Sequence, residues 1–365
     1  MKCKVARGEF SHSRRVLAVS DIHGRPDLLR RLLQKLDYQS GRDGLVLVGD
    51  LLEKGPDSLG VLRMAMELAR QPRVYVLRGN CDGLLLEGDD PDLAPWLAGR
   101  RDGLIWQLCA LEGIGREEAL ADVPAALRRL QDAYPAEAAF LKALPDILET
   151  EEYRFAHAGL AAGPLEEQER EFVLAVPAYL DSAPKSEKLL VVGHYGACNY
   201  AGARRGVCDC APLYDAEKNI LAIDGGLQIK EGGQLNGAEL WGGAYRRFAC
   251  VDGLPRALVT KSQKQSEGSV AWMWPDFAVE VLEQGESDAL CRHPASGQTA
   301  RVPLELLIQR DGKTRLAGDY TDLALGVKAG ERVGVVRRLG GQVLAKKHSV
   351  QGWVPAENLA VSEDI

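Results

Sequence analysis

The sequence predicts an α/β fold with helices around its sheets, followed by an all-β tail. Three observations carry this expectation. Apolar, β-rich runs alternate with helically spaced segments through the first half of the 365 residues. Acids, histidines and one asparagine stand at the ends of those runs. Beyond residue 268 the helical spacing gives way to short apolar runs broken by turn residues.

The elements follow in order. Val16-Leu17-Ala18-Val19-Ser20 reads as a buried strand running into Asp21-Ile22-His23-Gly24. Pro26-Asp27 then opens a helix with Leu28, Leu29, Leu32, Leu33 and Leu36 on one face, proline and an early acid being helix-start residues. Leu45-Val46-Leu47-Val48 runs into Gly49-Asp50, and Asp57-Ser58 precedes a helical stretch from Leu59 to about Arg70. Val74-Tyr75-Val76-Leu77 runs into Arg78-Gly79-Asn80-Cys81-Asp82. This β-α-β-α-β order implies a parallel sheet with right-handed crossovers. Residues from about 84 to 150 are rich in Leu, Ala, Arg and Glu and read as a helical insertion. The strand pattern resumes at Tyr153-Arg154-Phe155-Ala156, which meets His157, and at Leu189-Leu190-Val191-Val192, which meets Gly193-His194. Thr260 to Gly268 is polar and non-periodic, a candidate linker.

The tail contains a weak repeat. Val302-Pro303-Leu304-Glu305-Leu306-Leu307 matches Val354-Pro355-Ala356-Glu357-Asn358-Leu359, and Val279-Glu280-Val281-Leu282 corresponds to Val333-Gly334-Val335-Val336. Two small β-barrels in tandem, 269–310 and 311–365, are expected after a first domain over 1–262.

Composition limits the function classes. A net charge of −7 disfavours a nucleic-acid surface built on many Lys and Arg contacts. No run reaches the length of a membrane span. The first ten residues carry no apolar stretch after their basic ones, so a cytoplasmic protein with eight reduced cysteines is expected.

The strand-end side chains carry the chemistry. Three of the six histidines, His23, His157 and His194, fall at these positions. Asp-x-His puts Asp21 and His23 on one side of a strand end. Asp50 has two oxygens and can bridge two cations, while Asn80 offers a neutral oxygen. The set suits two divalent metals about 3.5–4 Å apart, the spacing used in phosphoester hydrolysis. Singly, each residue has an ordinary use: Asp50 as a helix cap, His157 as a satisfied core histidine. Five such motifs in order are not accounted for that way.

These motifs resemble the calcineurin-like metallophosphoesterases, over roughly residues 14 to 260. Within them the phosphoprotein phosphatase branch is nearest, with its bacterial serine/threonine phosphatases and symmetrical dinucleoside tetraphosphatases. Gly49-Asp50-Leu51-Leu52-Glu53-Lys54-Gly55-Pro56-Asp57-Ser58 resembles that branch's Gly-Asp-x-x-Asp-Arg-Gly-Pro-Asp-Ser, and Gly193-His194-Tyr195-Gly196 lacks the second histidine of simpler members. Ile223-Asp224-Gly225-Gly226 resembles the family's late Ile-Asp-x-Gly strand. The resemblance implies a metallophosphoesterase sheet sandwich. It places one metal on Asp21, His23 and Asp50, and a second on Asp50, Asn80, His157 and His194. The ligands suit manganese, iron or zinc. The implied chemistry is in-line hydrolysis of a phosphorylated substrate, phosphoprotein or nucleotide, by water activated between the metals. Lys54 and Asn80 would hold the phosphate, with Arg204 or Arg205 as a further clamp; a solvated surface pair is the alternative for those arginines.

Three departures bear on activity. Cys81 stands where the family has its general-acid histidine in Gly-Asn-His-Asp, with Asp82 retained beside it. A thiol near two cations tends to thiolate and is a poor proton donor. Lys54 replaces an arginine and loses its bidentate fork. Glu53 replaces an aspartate and is one methylene longer. The catalytic set expected is therefore Cys81, Asp82, Lys54 and Glu53. A serine/threonine phosphatase-like enzyme leads. Smaller family phosphodiesterases with Gly-Asn-Cys-Asp keep diesters and dinucleoside polyphosphates open. A metal-bound pseudophosphatase that holds a phosphorylated partner is the third expectation.

Cys198, Cys208 and Cys210 cluster locally but fall one short of the usual four zinc ligands. The tail resembles Src-homology-3-like domains at Ala317 to Glu331 and at Gly352-Trp353-Val354-Pro355. Leu359 holds the usual closing tyrosine position and the paired tryptophans are missing, so a structural or protein-docking role is expected over proline-peptide binding.

Overall fold

The computed structural model describes residues 1–10 and 15–361. Residue 14, where the family resemblance begins, and 362–365, the end of the expected second barrel, lie outside them. The chain divides into two compact units: 1–195 with 212–229 and 235–251, and 196–211 with 230–234 and 252 onwards.

The first unit is built from two sheets. A strand not foreseen in the sequence, β1 (Val5–Arg7), precedes β2 (Val16–Val19). Then come α1 (Pro26–Lys35), β3 (Gly44–Leu47), α2 (Ser58–Leu68) and β4 (Val74–Val76). Strands β2, β3 and β4 pair in parallel, as the alternation requires. The Asp57 side chain accepts the Gly60 N–H and caps α2. The insertion supplies α3 (Leu93–Ala98), α4 (Leu104–Leu111), α5 (Arg116–Ala121), α6 (Val123–Ala133) and α7 (Pro135–Ala143). It ends earlier than 150, because β5 (Ile147–Glu149) pairs with β1 and with β6 (Tyr153–Ala156). Ile147 and Leu148 are fully buried, and an apolar pair inside two ladders gains more as strand than as a frayed helix end.

The unit closes with β7 (Leu189–Val192), β8 (Leu213–Asp215), β9 (Ile220–Ala222), β10 (Leu235–Trp241) and β11 (Ala244–Val251). The sheet orders are β1-β5-β6-β7-β9-β8 and β11-β10-β2-β3-β4. Alternation sets which way each side chain faces. Val16, Ala18, Val46 and Val48 pack with Phe155, Val191 and Leu221 of the other sheet. Leu17, Val19, Leu45 and Leu47 pack with α1, α2 and the insertion helices.

The second unit holds a helix, Ala197–Arg205, and the β-rich tail. Strand β12 (Arg256–Val259) lies before the polar segment, within the 1–262 expected for the first domain. It instead pairs with β20 (Arg332–Leu339) and β23 (Leu359–Val361). Its buried Ala257 and Val259 complete the core of the last β module, which fixes its partner. With β21 (Gln342–Lys347) and β22 (Val350–Pro355) they form the sheet β22-β21-β20-β12-β23. Between β12 and β20 lie β13 (Ala271–Trp272), β14 (Glu280–Gln284), β15 (Asp288–Arg292), β16 (Thr299–Pro303), β17 (Leu307–Arg310), β18 (Lys313–Leu316) and β19 (Tyr320–Thr321). They enclose a core around Trp272, Val302 and Tyr320. One β module is thus threaded into the other. The polar segment is anchored rather than free: the Gln263 side chain donates to the carbonyls of Leu325 and Trp353.

The aligned repeat residues fall at equivalent points. β16 and β22 both end at proline and enter a single 3₁₀ turn, Leu304–Leu306 and Ala356–Asn358. Register shifts follow Val281 in the β14–β15 pair and Val335 in the β20–β21 pair, residues the repeat aligns. No helix among the described residues is long and apolar enough to cross a membrane.

Leu17 is fully buried between sheet and helices. Leu17→Ala is expected to destabilise the first unit by about 2–5 kcal/mol, read as a lower urea midpoint at unchanged slope.

Candidate metal centre

The carboxyl ends of β2, β3, β4, β6, β7 and β9 deliver Asp21, Asp50, Asn80, His157, His194 and Asp224. Open α/β sheets present ligands in this way. The backbone leaves regular geometry to do so. Asp21 (φ 57°), His23 (44°), Asp50 (50°) and His194 (65°) all adopt left-handed conformations. Each costs on the order of 1–3 kcal/mol and persists only where the surroundings dictate it. Two glycines permit the close approach. A Cβ on Gly79 would collide with the Asp50 backbone, and one on Gly193 with Ser20 and Asp21.

The donors are oriented by their outward bonds. His23 Nδ1 lies 3.1 Å from the Leu52 carbonyl oxygen and donates to it, leaving the lone pair on Nε2. His157 does the same to Val48 at 2.9 Å. Its Nε2 lies 3.3 Å from Asp50 Oδ1 and 3.2 Å from Asn80 Oδ1. His194 Nδ1 is 3.0 Å from the same asparagine oxygen. His23 Nε2 is 3.7 Å from Asp50 Oδ2, so the two oxygens of Asp50 face two different groups of donors. Asp21 Oδ2 accepts from Ser20 Oγ at 2.5 Å and from the His194 N–H at 3.1 Å.

Burial, and then the Lys54 ammonium, pull His23 down to about 3. Burial and then His157 pull His194 down to about 4. Both imidazoles are therefore neutral donors at ordinary pH. Burial alone would raise Asp50, but His157, Lys54 and His23 outweigh it and hold the carboxylate well below its usual range. Asp21 is pushed up, first by burial and then by Asp224 and Asp50. Asp21 Oδ1 and Asp224 Oδ2 are buried with no hydrogen-bond partner. Crowded anionic oxygens without donors, flanked by neutral imidazole lone pairs, fit divalent cations. Two sets of ligand atoms each converge within 4.8 Å: Asp21, Asp50 and His157, and His23, Asp50 and Cys81.

The remaining predicted residues divide. Lys54 Nζ reaches into the cluster, 3.6 Å from Asp50 Oδ2 and 3.3 Å from His23 Nε2. Cys81 is buried, its thiol pushed up by burial and then by Asp50. Asp82 turns to the backbone: Oδ1 accepts the N–H groups of Leu51 and Leu52, and Oδ2 that of Gly79. It joins the loops that follow β3 and β4 rather than facing the open side. Glu53 also points elsewhere, accepting the Leu104 N–H at the start of α4. Arg204 and Arg205 lie in the second unit, in the last turn of the helix Ala197–Arg205. Arg204 stacks over Tyr200 and Arg205 pairs with Asp209. Cys198, Cys208 and Cys210 form a buried cluster with Ala271 and Met273.

Asp224 was not assigned to the site from sequence. Its signal was the same as for the others, an acid closing the apolar run Ile220-Leu221-Ala222-Ile223. Lys54, Asn80 and His194 are half-buried and mark the open side.

Comparison with known proteins bears on this centre. The sequence model of the calcineurin-like phosphoesterases matches residues 14–197. A symmetrical bis(5'-nucleosyl)-tetraphosphatase of Legionella pneumophila is 41% identical over 83 residues, 22% of this chain and 28% of that protein. Serine/threonine-protein phosphatase 2 of Escherichia coli is 38% identical over 92 residues, 25% of this chain and 40% of that protein. The matches thus span well under two thirds of either relative. A solved serine/threonine phosphatase from Saccharomyces cerevisiae covers 69% of this chain and 85% of its own, at 11% identity and a TM-score of 0.43.

Glu53 is 2% exposed and burial raises it from 4.5 to about 7. Between those values the folded state holds a proton that the unfolded chain has released, so stability falls as pH rises through that window. Glu53→Gln keeps the acceptor for Leu104 and does not titrate. Urea unfolding should show wild type losing up to about 3 kcal/mol relative to Glu53→Gln between about pH 5 and about pH 8. A constant difference would contradict a buried, titrating Glu53.

Proposed function

The chain belongs to the calcineurin-like phosphoesterase family, and from that premise we propose that it is a metal-dependent phosphoesterase specialised for good leaving groups. The family uses a dinuclear divalent centre. Asp21, His23 and Asp50 would hold one cation, and Asp50, Asn80, His157 and His194 the other. Manganese, iron and zinc all suit these donors. When bound, such cations lower the pKa of water and neutralise phosphate oxygens.

The chain's own residues do the rest. Asp50 sits between the two donor groups, its backbone held by Gly79 and by the loops that Asp82 joins. Lys54 brings a positive charge to the half-buried side, where a phosphate oxygen enters. Asn80 sits on that same side. The single observation that carries the proposal is the convergence of three imidazoles and Asn80 about one shared, buried carboxylate, Asp50.

The leaving-group preference follows from Cys81. Family resemblance puts an acid histidine there, and a buried thiol offers no comparable proton donor. A departing alkoxide needs that proton. A departing phosphate or aryl oxide does not. Aryl esters and nucleoside polyphosphates are therefore favoured over serine and threonine phosphates. For the tail we favour a structural or docking role: the Trp353 indole N–H donates to the Thr321 carbonyl at 2.7 Å and is committed to that contact.

Purified protein with added manganese should hydrolyse an aryl phosphate and a dinucleoside tetraphosphate faster than an alkyl monoester. Asp50→Asn should abolish both activities. Cys81→His should raise the alkyl rate by tenfold or more, towards the roughly 10²–10⁴-fold typical of general acids. Full metal loading without turnover would instead assign the fold to holding a phosphorylated partner.

A further inference from the structure

Cys81, like Asp224, is not among the proposed ligand sets. Cys81 Sγ, a ring nitrogen of His23 and a carboxylate oxygen of Asp50 lie within 4.8 Å of one another, all three residues being buried. The arrangement is fixed from behind. The Cys81 N–H donates to Asp50 Oδ1 at 2.9 Å, and His23 is tethered through Nδ1 to Leu52. The point between them already accommodates positive charge. Lys54 Nζ lies 3.3 Å from His23 Nε2 and 3.6 Å from Asp50 Oδ2. Donors bound to one zinc at about 2.0–2.3 Å lie roughly 3–4 Å apart, which these side chains reach by small rotations.

We propose that Cys81 Sγ is a direct ligand of the divalent cation held by His23 and Asp50, a sulfur donor in place of a proton donor. The proposal rests on the metal-dependent reading above and deepens it. The step balances as one thiol and one divalent cation giving one metal thiolate and one released proton. The cation takes the position of the Lys54 ammonium, which is then available to phosphate. Sulfur also changes which metal is selected. With Asp21, His23 and Asp50 alone the donors are hard or borderline. A thiolate tilts the site towards zinc and cobalt and away from manganese. The same substitution that removes the acid therefore tunes the metal.

The test is titration of the full-length, metal-free protein with Co²⁺, followed by absorption. Visible d–d bands report bound cobalt, and a near-ultraviolet sulfur-to-cobalt charge-transfer band reports a thiolate ligand. Wild type should show both. Cys81→Ser and Cys81→His should still bind cobalt but lose the charge-transfer band. In competition, their preference for Zn²⁺ over Mn²⁺ should fall by at least about tenfold. If Cys81→Ser does not fold, Cys81→His, which keeps a donor, carries the same comparison. Cobalt bound by wild type with no charge-transfer band would overturn the proposal and leave the phosphoesterase standing. So would a band that survives in the Cys81 variants and is lost in Cys208→Ser. Failure to bind either Co²⁺ or Zn²⁺ would overturn both.

Discussion

Asp21, Asp50 and Asp224 are buried together, each about 1% exposed, and much of the first unit depends on how that charge is tolerated. Desolvation and mutual repulsion both oppose ionisation, as the upward push on Asp21 and Asp224 records. A hydrophobic replacement of similar size would cost less for folding alone. The cluster therefore makes sense only with positive charge inside it. Lys54 supplies one such charge, and the neutral imidazoles of His23 and His194 leave room for more.

Holding those groups at one point requires a strained scaffold. The left-handed residues at the strand ends would relax if the loops were free. Asp82 prevents this by gripping Leu51, Leu52 and Gly79 at once, and Gly79 lets the Asp50 loop sit against it. The sandwich core beneath, from Val46 to Phe155 and Val191, keeps the strands that carry the loops in register. Positional accuracy at the centre thus comes from packing well below it.

The departures at Glu53, Lys54 and Cys81 look alike in sequence but differ in three dimensions. Glu53 spends its extra methylene reaching α4, and so ties the insertion to the loop after β3. Lys54, shorter and more compact than arginine, enters the donor cluster itself. Cys81 exchanges an imidazole for a small thiol at the same point. Only the last two face the donor cluster. The coupled β modules of the second unit have a different logic, each burying a core too small to stand well alone.

The sequence alone determined the parallel strands β2 to β4, the helices between them and the cluster of donor side chains at the strand ends from Asp21 to His194. Period-two apolar runs and chain-order motifs are local signals, and local signals survive in one dimension. It also located the β repeat, since the Val-Pro pairs mark the same turn twice. Tertiary structure decided the rest. β5 and β12 are too short to announce their partners, and only the ladders to β1, β6, β20 and β23 define them. Asp82 and Glu53 carry the right chemistry for catalysis, yet backbone N–H groups claim their oxygens, those of Leu51, Leu52 and Leu104 from far away in sequence. Asp224 joined the centre, and Cys81 met His23 and Asp50, because parallel strands bring their carboxyl ends together whatever the distance along the chain.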